Sequence, residues 1–307
     1  MYAPTLLAAL AGAAAAQNAA LKDILAQAGT GNYTYATAFT QGIIPKPLHS
    51  HNDYWRPVPF YSALAAGAIS IEADVYLINS TLFVGHERTD LSRSRTLDSL
   101  YIQPIVSVLE TMNPNNHEFV ESDTKHGVFD MTVGQTLYLW IDVKTDGPTA
   151  WPYVVRALEP LRRAGYLTSY DGKSVNQSAV TVIGTGNTPR NLVEPVNVRD
   201  YFWDAPVDKL NTTAASNITK EVSPIASGSF SSNFGAVKNT TLGEQQLSKL
   251  RGQLKVAHDK GMLVRYWDLP GWPVGTRNSV WRTLWDEGAD LINVDELEAA
   301  AGLWERE

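Results

Sequence analysis

The strongest restriction on this chain is a recurrence: short apolar or alternating runs return along it, with helical segments between them. The runs are PLHSH near 47, AISIEADVYL near 68, TLFVGH near 81, TLYLWIDVK near 136, AVTVIGTG near 179, MLVRYWDL near 262 and ADLINVDEL near 289. Strands that alternate with helices pair in parallel, because a parallel connection has to cross the sheet and a helix is the usual crossover. About eight such units favour a single α/β domain of (β/α)8 TIM-barrel type. Helices are expected at Pro57 to Ala66, which opens on prolines and precedes Gly67, and at Thr149 to Ala164, which opens after Gly147-Pro148 and stops at Gly165. A third spans Leu242 to Lys260 and ends at Gly261. Residues 205 to 240 are rich in Asn, Ser, Thr and Gly and read as a decorated surface excursion.

Composition narrows the chemistry. There is no cysteine, which excludes thiol nucleophiles, disulfides and thiolate metal sites, so a catalytic metal has to be held by oxygen or imidazole. A hydrophobic share of 44% against 19% charged residues leaves ample apolar surface for a packed core. The net charge of -7 makes nucleic acid an unexpected partner and leaves at most peripheral membrane contact, and the chain is expected to be a monomer. Leu6 to Ala16 is an apolar run closed by the small residues Ala14 and Ala16, although no Lys or Arg precedes Lys22. It is too short to span a bilayer and reads as a signal peptide of residues 1–16 cut before Gln17, leaving 17–307 as the barrel domain. Asn-x-Ser/Thr sequons at Asn32, Asn79, Asn176, Asn211, Asn217 and Asn239 fit a secreted, N-glycosylated protein.

The polar residues on the strands carry the functional reading. Side chains alternate along a strand, so Glu72 and Asp74 share one face while Ile71, Ala73 and Val75 share the other. The strand near 136 repeats the pattern with Asp142 and Lys144 at its carboxyl end. Parallel strands are covered on both faces, so an uncompensated acidic pair there is costly. Three carboxylates from two strands at the rim where barrel enzymes place their sites call for one hard divalent cation, Mg²⁺ or Ca²⁺. An internal ion-pair network of Lys144 with Glu72 and Asp74 is the other way to balance them. His51 and His86 each follow a strand and suit general acid and base work, with His49, on the same face as His51, as an alternative partner. His117, His126 and His258 sit in polar contexts and read as surface histidines.

Taken in order, HN at 51–52, IEADV at 71–75, VGH at 84–86, LWIDVKT at 139–145, VRYWDLPG at 264–271 and GADLINVDE at 288–296 resemble the PLC-like phosphodiesterase superfamily. That group holds glycerophosphodiester phosphodiesterases and the sphingomyelinase D toxins. HSHNDYW at 49–55 and SLYIQPI at 99–105 are most similar to its fungal branch named after altered-inheritance-of-mitochondria protein six. The resemblance implies a barrel with Glu72, Asp74 and Asp142 on the metal and His51 and His86 as the acid/base or nucleophilic pair. It places Lys144, Trp267 and Asn52 at the substrate, Lys144 on the phosphoryl oxygens. Trp267 has barrel filling as its competing role. Two departures weigh against glycerophosphodiester specificity: Asn52 replaces an Arg after the first His, and Asp142 replaces a Glu. The expected function is a secreted, metal-dependent phosphodiesterase, a phosphoric diester hydrolase or cyclising lyase, cleaving a phospholipid or glycerophosphodiester. Trp55, Trp267 and Trp272 are candidates for an apolar rim around its head group. A barrel enzyme acting on carbohydrate and a non-catalytic ligand-binding relative are the alternatives.

Overall fold

A parallel barrel is built where the alternation predicts one, though two of its staves come from unexpected places. The computed structural model describes residues 37–114, 125–215, 217–238 and 240–304, together with Lys22 and Ala26. The expected signal peptide, Asn32, Asn239 and His117 lie outside the described residues. The strands are β1 Lys46–Ser50, β2 Ala68–Ile78, β3 Thr81–Val84, β4 Leu137–Val143, β5 Ser169–Tyr170, β6 Val175–Asn176, β7 Val180–Gly186, β8 Phe202–Trp203, β9 Ala205–Pro206, β10 Ile225–Ser229, β11 Leu263–Trp267 and β12 Leu291–Val294. Nine of them run in parallel in the order β8-β7-β4-β2-β1-β12-β11-β10-β9. β8 and β9 are separated by Asp204 alone, so they act as one stave that pairs with β7 through its first half and with β10 through its second. That bend makes eight staves of nine strands and nearly closes the barrel.

Each stave sorts its residues by the period of two. Outward positions such as Leu48, Ile71, Ala73, Val75, Leu139, Ile141, Val182, Val264 and Ile292 join the large core between staves and helices. Inward positions Trp140, Ile183, Ile225 and Leu291 form a separate small cluster inside the barrel. Burying each such branched or aromatic side chain is worth about 2 kcal/mol, enough for both layers to hold the strand register. The outer layer includes helices Gln103–Met112, Gly147–Ala157, Glu159–Arg163, Glu244–Asp259, Val274–Asp286 and Leu297–Trp304. Asp146 caps the second of these, accepting from Thr149 N at 3.0 Å.

Two expectations need correction. The run at 81–84 is not a stave: β3 turns back antiparallel on β2 through Asn79 and Ser80, whose φ values of 48° and 64° form the tight turn of a hairpin. Residues 205 to 240 are not a surface excursion, because they contain β9, β10 and the helix Phe230–Phe234. β10 reads IASGS: its inward serines face a cavity and its outward Ala226 and Gly228 are small, so no apolar run marks it. The expected helix at 149–164 is two helices parted at Leu158, and that at 57–66 shrinks to Tyr61–Ala65.

Candidate active site

The acidic residues meet because β2 and β4 pair in register. Asp74 stands opposite Asp142, and Glu72 stands opposite Trp140, all on the barrel's inner face. Oxygens of Glu72, Asp74 and Asp142 lie within 4.8 Å of one another, and Glu72 and Asp74 are buried. Lys144 lies between two of them, its Nζ 2.7 Å from Asp142 Oδ2 and 3.0 Å from Asp74 Oδ2. Burial works against the ammonium charge, but these two carboxylates outweigh it and raise the Lys144 pKa. The ion-pair network expected as an alternative therefore exists, with Asp142 in place of Glu72. It does not exhaust the carboxylates: Asp74 Oδ1 and Asp142 Oδ1 are buried without a hydrogen-bond partner among the described residues. Two unpartnered carboxylate oxygens in a set of three hard oxygen donors fit a divalent cation, since buried acceptors otherwise carry a desolvation cost.

The carboxyls respond differently to their surroundings. Burial, reinforced by the charges of Glu72 and Asp142, pushes Asp74 up to about 7. Burial also raises Asp142, with Lys144 opposing. Burial favours a neutral Glu72 too, yet the Arg265 guanidinium outweighs it and holds Glu72 well below the usual carboxylate range. Gly186, at the end of β7, is what leaves Asp142 its room. A Cβ there would stand 1.9 Å from Asp142 Oδ1, and its φ of +63° is left-handed. Gly186→Ala should displace the carboxylate and cost about 1–2 kcal/mol in backbone strain alone. Thermal melts with and without Mg²⁺ check this, and an unchanged melting temperature with the full metal response intact would refute it.

The imidazoles reach the same rim by separate routes. His51 directly follows β1, its N–H donating to Val294 O at 3.1 Å, and its ring Nδ1 lies 2.8 Å from Asp295 Oδ1 at the end of the neighbouring β12. Its Nε2 is 3.7 Å from Glu72 Oε2. Burial lowers the His51 pKa, but the Asp295 hydrogen bond and the Glu72 charge outweigh it and raise the pKa overall. Arg56 ties this corner by donating to the carbonyls of His51, Val294 and Asp295. His86 arrives on the returning hairpin, where Gly85 N donates to Asp74 O at 3.2 Å. Its Nδ1 is 3.2 Å from Tyr54 Oη and 3.5 Å from Asp74 Oδ2, and the Trp55 ring centroid is 5.2 Å from its own.

His49 is settled by burial. It is fully enclosed, its Nδ1 2.7 Å from Ser70 Oγ, and its Nε2 accepts from Arg265, which lies over the Trp140 ring at 4.2 Å. Burial, then the Arg265 charge, pushes it down to about 3, so it is a neutral internal residue while His51 faces the cavity.

That cavity, about 990 Å³, is lined by His51, Asn52, Glu72, Asp74, His86 and Asp142, and also by Lys144 and Trp267. Trp267 is 40% exposed, so it lines the mouth and does not fill the barrel. Trp55 and Trp272, at 55% and 78%, are exposed on loops that follow β1 and β11. Four residues escaped the sequence reading. Tyr54, which donates to Asp74 Oδ2 at 2.7 Å, and Asp295 stand inside the quoted strings HSHNDYW and GADLINVDE without having been assigned work. Arg265 shares the inward face with Leu263 and Trp267, a signal that period two contained. Asp204 sits at the bend between two short strands, where no pattern marked it.

Fold and site together define an α/β barrel with three carboxylates and two imidazoles on one rim cavity. The chain belongs to the AIM6-like phosphodiesterase domain family, which matches residues 37–204. It is 51% identical over 280 residues to the altered inheritance of mitochondria protein 6 homolog of Arthroderma benhamiae, covering 88% of this chain and 87% of that protein. It is 36% identical over 268 residues to altered inheritance of mitochondria protein 6 of Eremothecium gossypii, covering 83% and 68%. With the protein of the same name from Saccharomyces cerevisiae strain YJM789 it shares 32% identity over 283 residues, covering 84% and 71%.

Proposed function

We propose that this chain is a secreted phosphodiesterase that uses one divalent cation, Mg²⁺ or Ca²⁺, to cleave a phospholipid or glycerophosphodiester. The observation that carries the reading is the convergence of three carboxylates, two of them with unpartnered oxygens, and two imidazoles on one rim cavity of a phosphodiesterase-family barrel. Glu72, Asp74 and Asp142 would hold the cation, which supplies Lewis-acid stabilisation of charge on a phosphoryl oxygen. Lys144 adds a fixed positive charge beside the same oxygens.

His51 is suited to be the acid. Asp295 takes its Nδ1 proton in a hydrogen bond, which leaves Nε2 as the nitrogen for the substrate, and the raised pKa favours the imidazolium that protonates a departing alkoxide. His86, with Nδ1 turned to Tyr54 and Asp74, offers Nε2 to deprotonate the attacking hydroxyl or to attack phosphorus itself. If that hydroxyl belongs to the substrate the product is a cyclic phosphate, and if it is water the product is a monoester. Exposed Trp55, Trp267 and Trp272 supply an apolar rim for a lipid. Secretion is supported by the apolar Leu6 to Ala16 run and by four exposed sequon asparagines, Asn79, Asn176, Asn211 and Asn217.

Phosphorus NMR of the full chain with lysophosphatidylcholine, sphingomyelin and glycerophosphoglycerol, each with Mg²⁺ and with chelator, tests the reading. A new resonance that needs the metal is expected, its shift separating cyclic from open product. Silence across all three with metal demonstrably bound would overturn it in favour of a carbohydrate substrate.

A further inference from the structure

The proposed chemistry uses none of the sequons. Asn211, in Asn211-Thr212-Thr213, is exposed on the turn that follows β9 and the short helix Val207–Lys209. Its side chain forms no hydrogen bond among the described residues, whereas Asn176 Nδ2 donates to Asp171 Oδ2 at 3.3 Å and Asn217 Oδ1 accepts from Arg190 at 3.1 Å. Asn211 also lines a second groove, of about 450 Å³, whose other wall is the helix Glu244–Asp259 through Lys249, Gly252 and Val256. A glycine inside a helix costs stability against alanine. Here Gly252 leaves the groove clear: a Cβ added to it would meet nothing within 4 Å. Polar capacity is also left over. Lys249 spends one N–H on Asn233 O at 2.5 Å, and Asp208 Oδ2 pairs with Lys209 Nζ at 2.9 Å while its Oδ1 has no hydrogen bond among the described residues. Both Asp208 and Lys249 line the active-site cavity as well as the groove.

We propose that Asn211 carries an N-linked glycan whose first N-acetylglucosamine lies in this groove and ties the turn after β9 to the helix Glu244–Asp259. The proposal rests on the secretion part of the proposed function and is independent of the reaction assigned to the cavity. The sugar arrives by transfer from a lipid-linked oligosaccharyl diphosphate: its C1–O bond to the diphosphate breaks, a C1–N bond to Asn211 Nδ2 forms, Nδ2 gives up one proton and the lipid diphosphate leaves. Attachment identifies the occupant. A sugar joined to a residue at the groove's edge is held there at high effective concentration, so weak contacts suffice to seat it. N-acetylglucosamine presents an apolar ring face and an acetamide methyl together with an N–H, a carbonyl and hydroxyls. Val207, Val256 and the bare Gly252 backbone suit the first set, and the spare Asp208 acceptor and Lys249 donors suit the second. Because Asp208 and Lys249 face both spaces, the seated sugar braces that wall of the active-site cavity.

The test uses the full chain made in a yeast host, which glycosylates, and in a bacterial host, which does not; with no cysteine, the two products cannot differ in disulfides. Glycopeptide mass spectrometry of the yeast product is expected to find a glycan on Asn211. Asn211→Gln should lower the melting temperature of the yeast product by about 2–4 °C and leave that of the bacterial product unchanged. Gly252→Leu fills the groove, so in that background Asn211→Gln should no longer shift the yeast product, the non-additivity expected of groups in contact. Gly252→Gln tests the same coupling should the leucine variant not fold. An Asn211 without sugar overturns the proposal: if other sequons carry glycans the secretion reading stands, and if none does it falls as well. A glycosylated Asn211 whose loss leaves the melting temperature unchanged, or shifts it equally with and without the filled groove, overturns the seat.

Discussion

Asp74→Asn is expected to lower metal-dependent turnover by a factor of about 10³ or more while leaving the barrel folded. The amide keeps the shape of the carboxyl but removes the charge and one of the oxygens available to a cation, and Asp142→Asn should behave in the same way. The stability effect has the opposite sign. The Asp74 carboxyl has an ordinary value of 3.8 and is pushed up to about 7 by burial and by its acidic neighbours. Without metal, the folded chain therefore binds this proton more tightly than the unfolded chain does. The stability from that proton is complete below the unfolded value and is lost as the pH rises through 7. Metal-free wild type should accordingly lose stability between about pH 4 and pH 7. Asp74→Asn should flatten this dependence and melt higher than wild type at neutral pH.

Metal reverses the trend, because the cation competes with the proton for the same carboxylate and its stabilising effect grows as the pH rises through 7. Melting curves at several pH values, with and without Mg²⁺, measure both effects. A variant with full activity, or one that keeps the whole metal-induced shift, would overturn the assignment.

The acidic triad was legible because two constraints act on it together. Period two put Glu72 and Asp74 on one face and Asp142 at the end of another strand, and parallel pairing then set Asp74 against Asp142. The position of His86 was legible, but its route was not. TLFVGH has the composition of a stave, and only the left-handed Asn79-Ser80 turn makes it a hairpin arm that brings His86 back to Asp74. The closing staves were hidden by the polar cavity they line. Ser227 and Ser229 occupy inward positions that an ordinary barrel fills with Val or Ile, and Asp204 interrupts the fifth stave. A strand whose inner face lines a polar cavity loses the apolar alternation by which strands are found. His49 and His51 shared a face and a motif, and only three-dimensional burial against Arg265 and Trp140 separated a neutral internal residue from a cavity residue.

His51→Ala should reduce kcat by about 10²- to 10⁴-fold, the range for loss of a positioned proton donor. The more informative change is Asp295→Asn, which leaves the ring in place and acts through it. Asp295 accepts from Nδ1 at 2.8 Å, and with Glu72 it raises the His51 pKa above 6.5 against the effect of burial. If His51 must be protonated to release the leaving group, activity persists below its pKa and falls on the alkaline side. Removing the Asp295 charge lowers that pKa, so the alkaline limb of the pH–rate profile should move to lower pH and kcat should fall more than KM changes. Stability follows the same sign. Because the folded pKa exceeds the ordinary value, the charged ring contributes stability that is full below about 6.5 and is lost as the pH rises through the folded pKa, and Asp295→Asn should diminish that contribution. A pH profile whose alkaline limb stays in place in Asp295→Asn would show that Asp295 does not work through His51. An active His51→Ala enzyme would exclude His51 as the acid, whatever its position in the cavity.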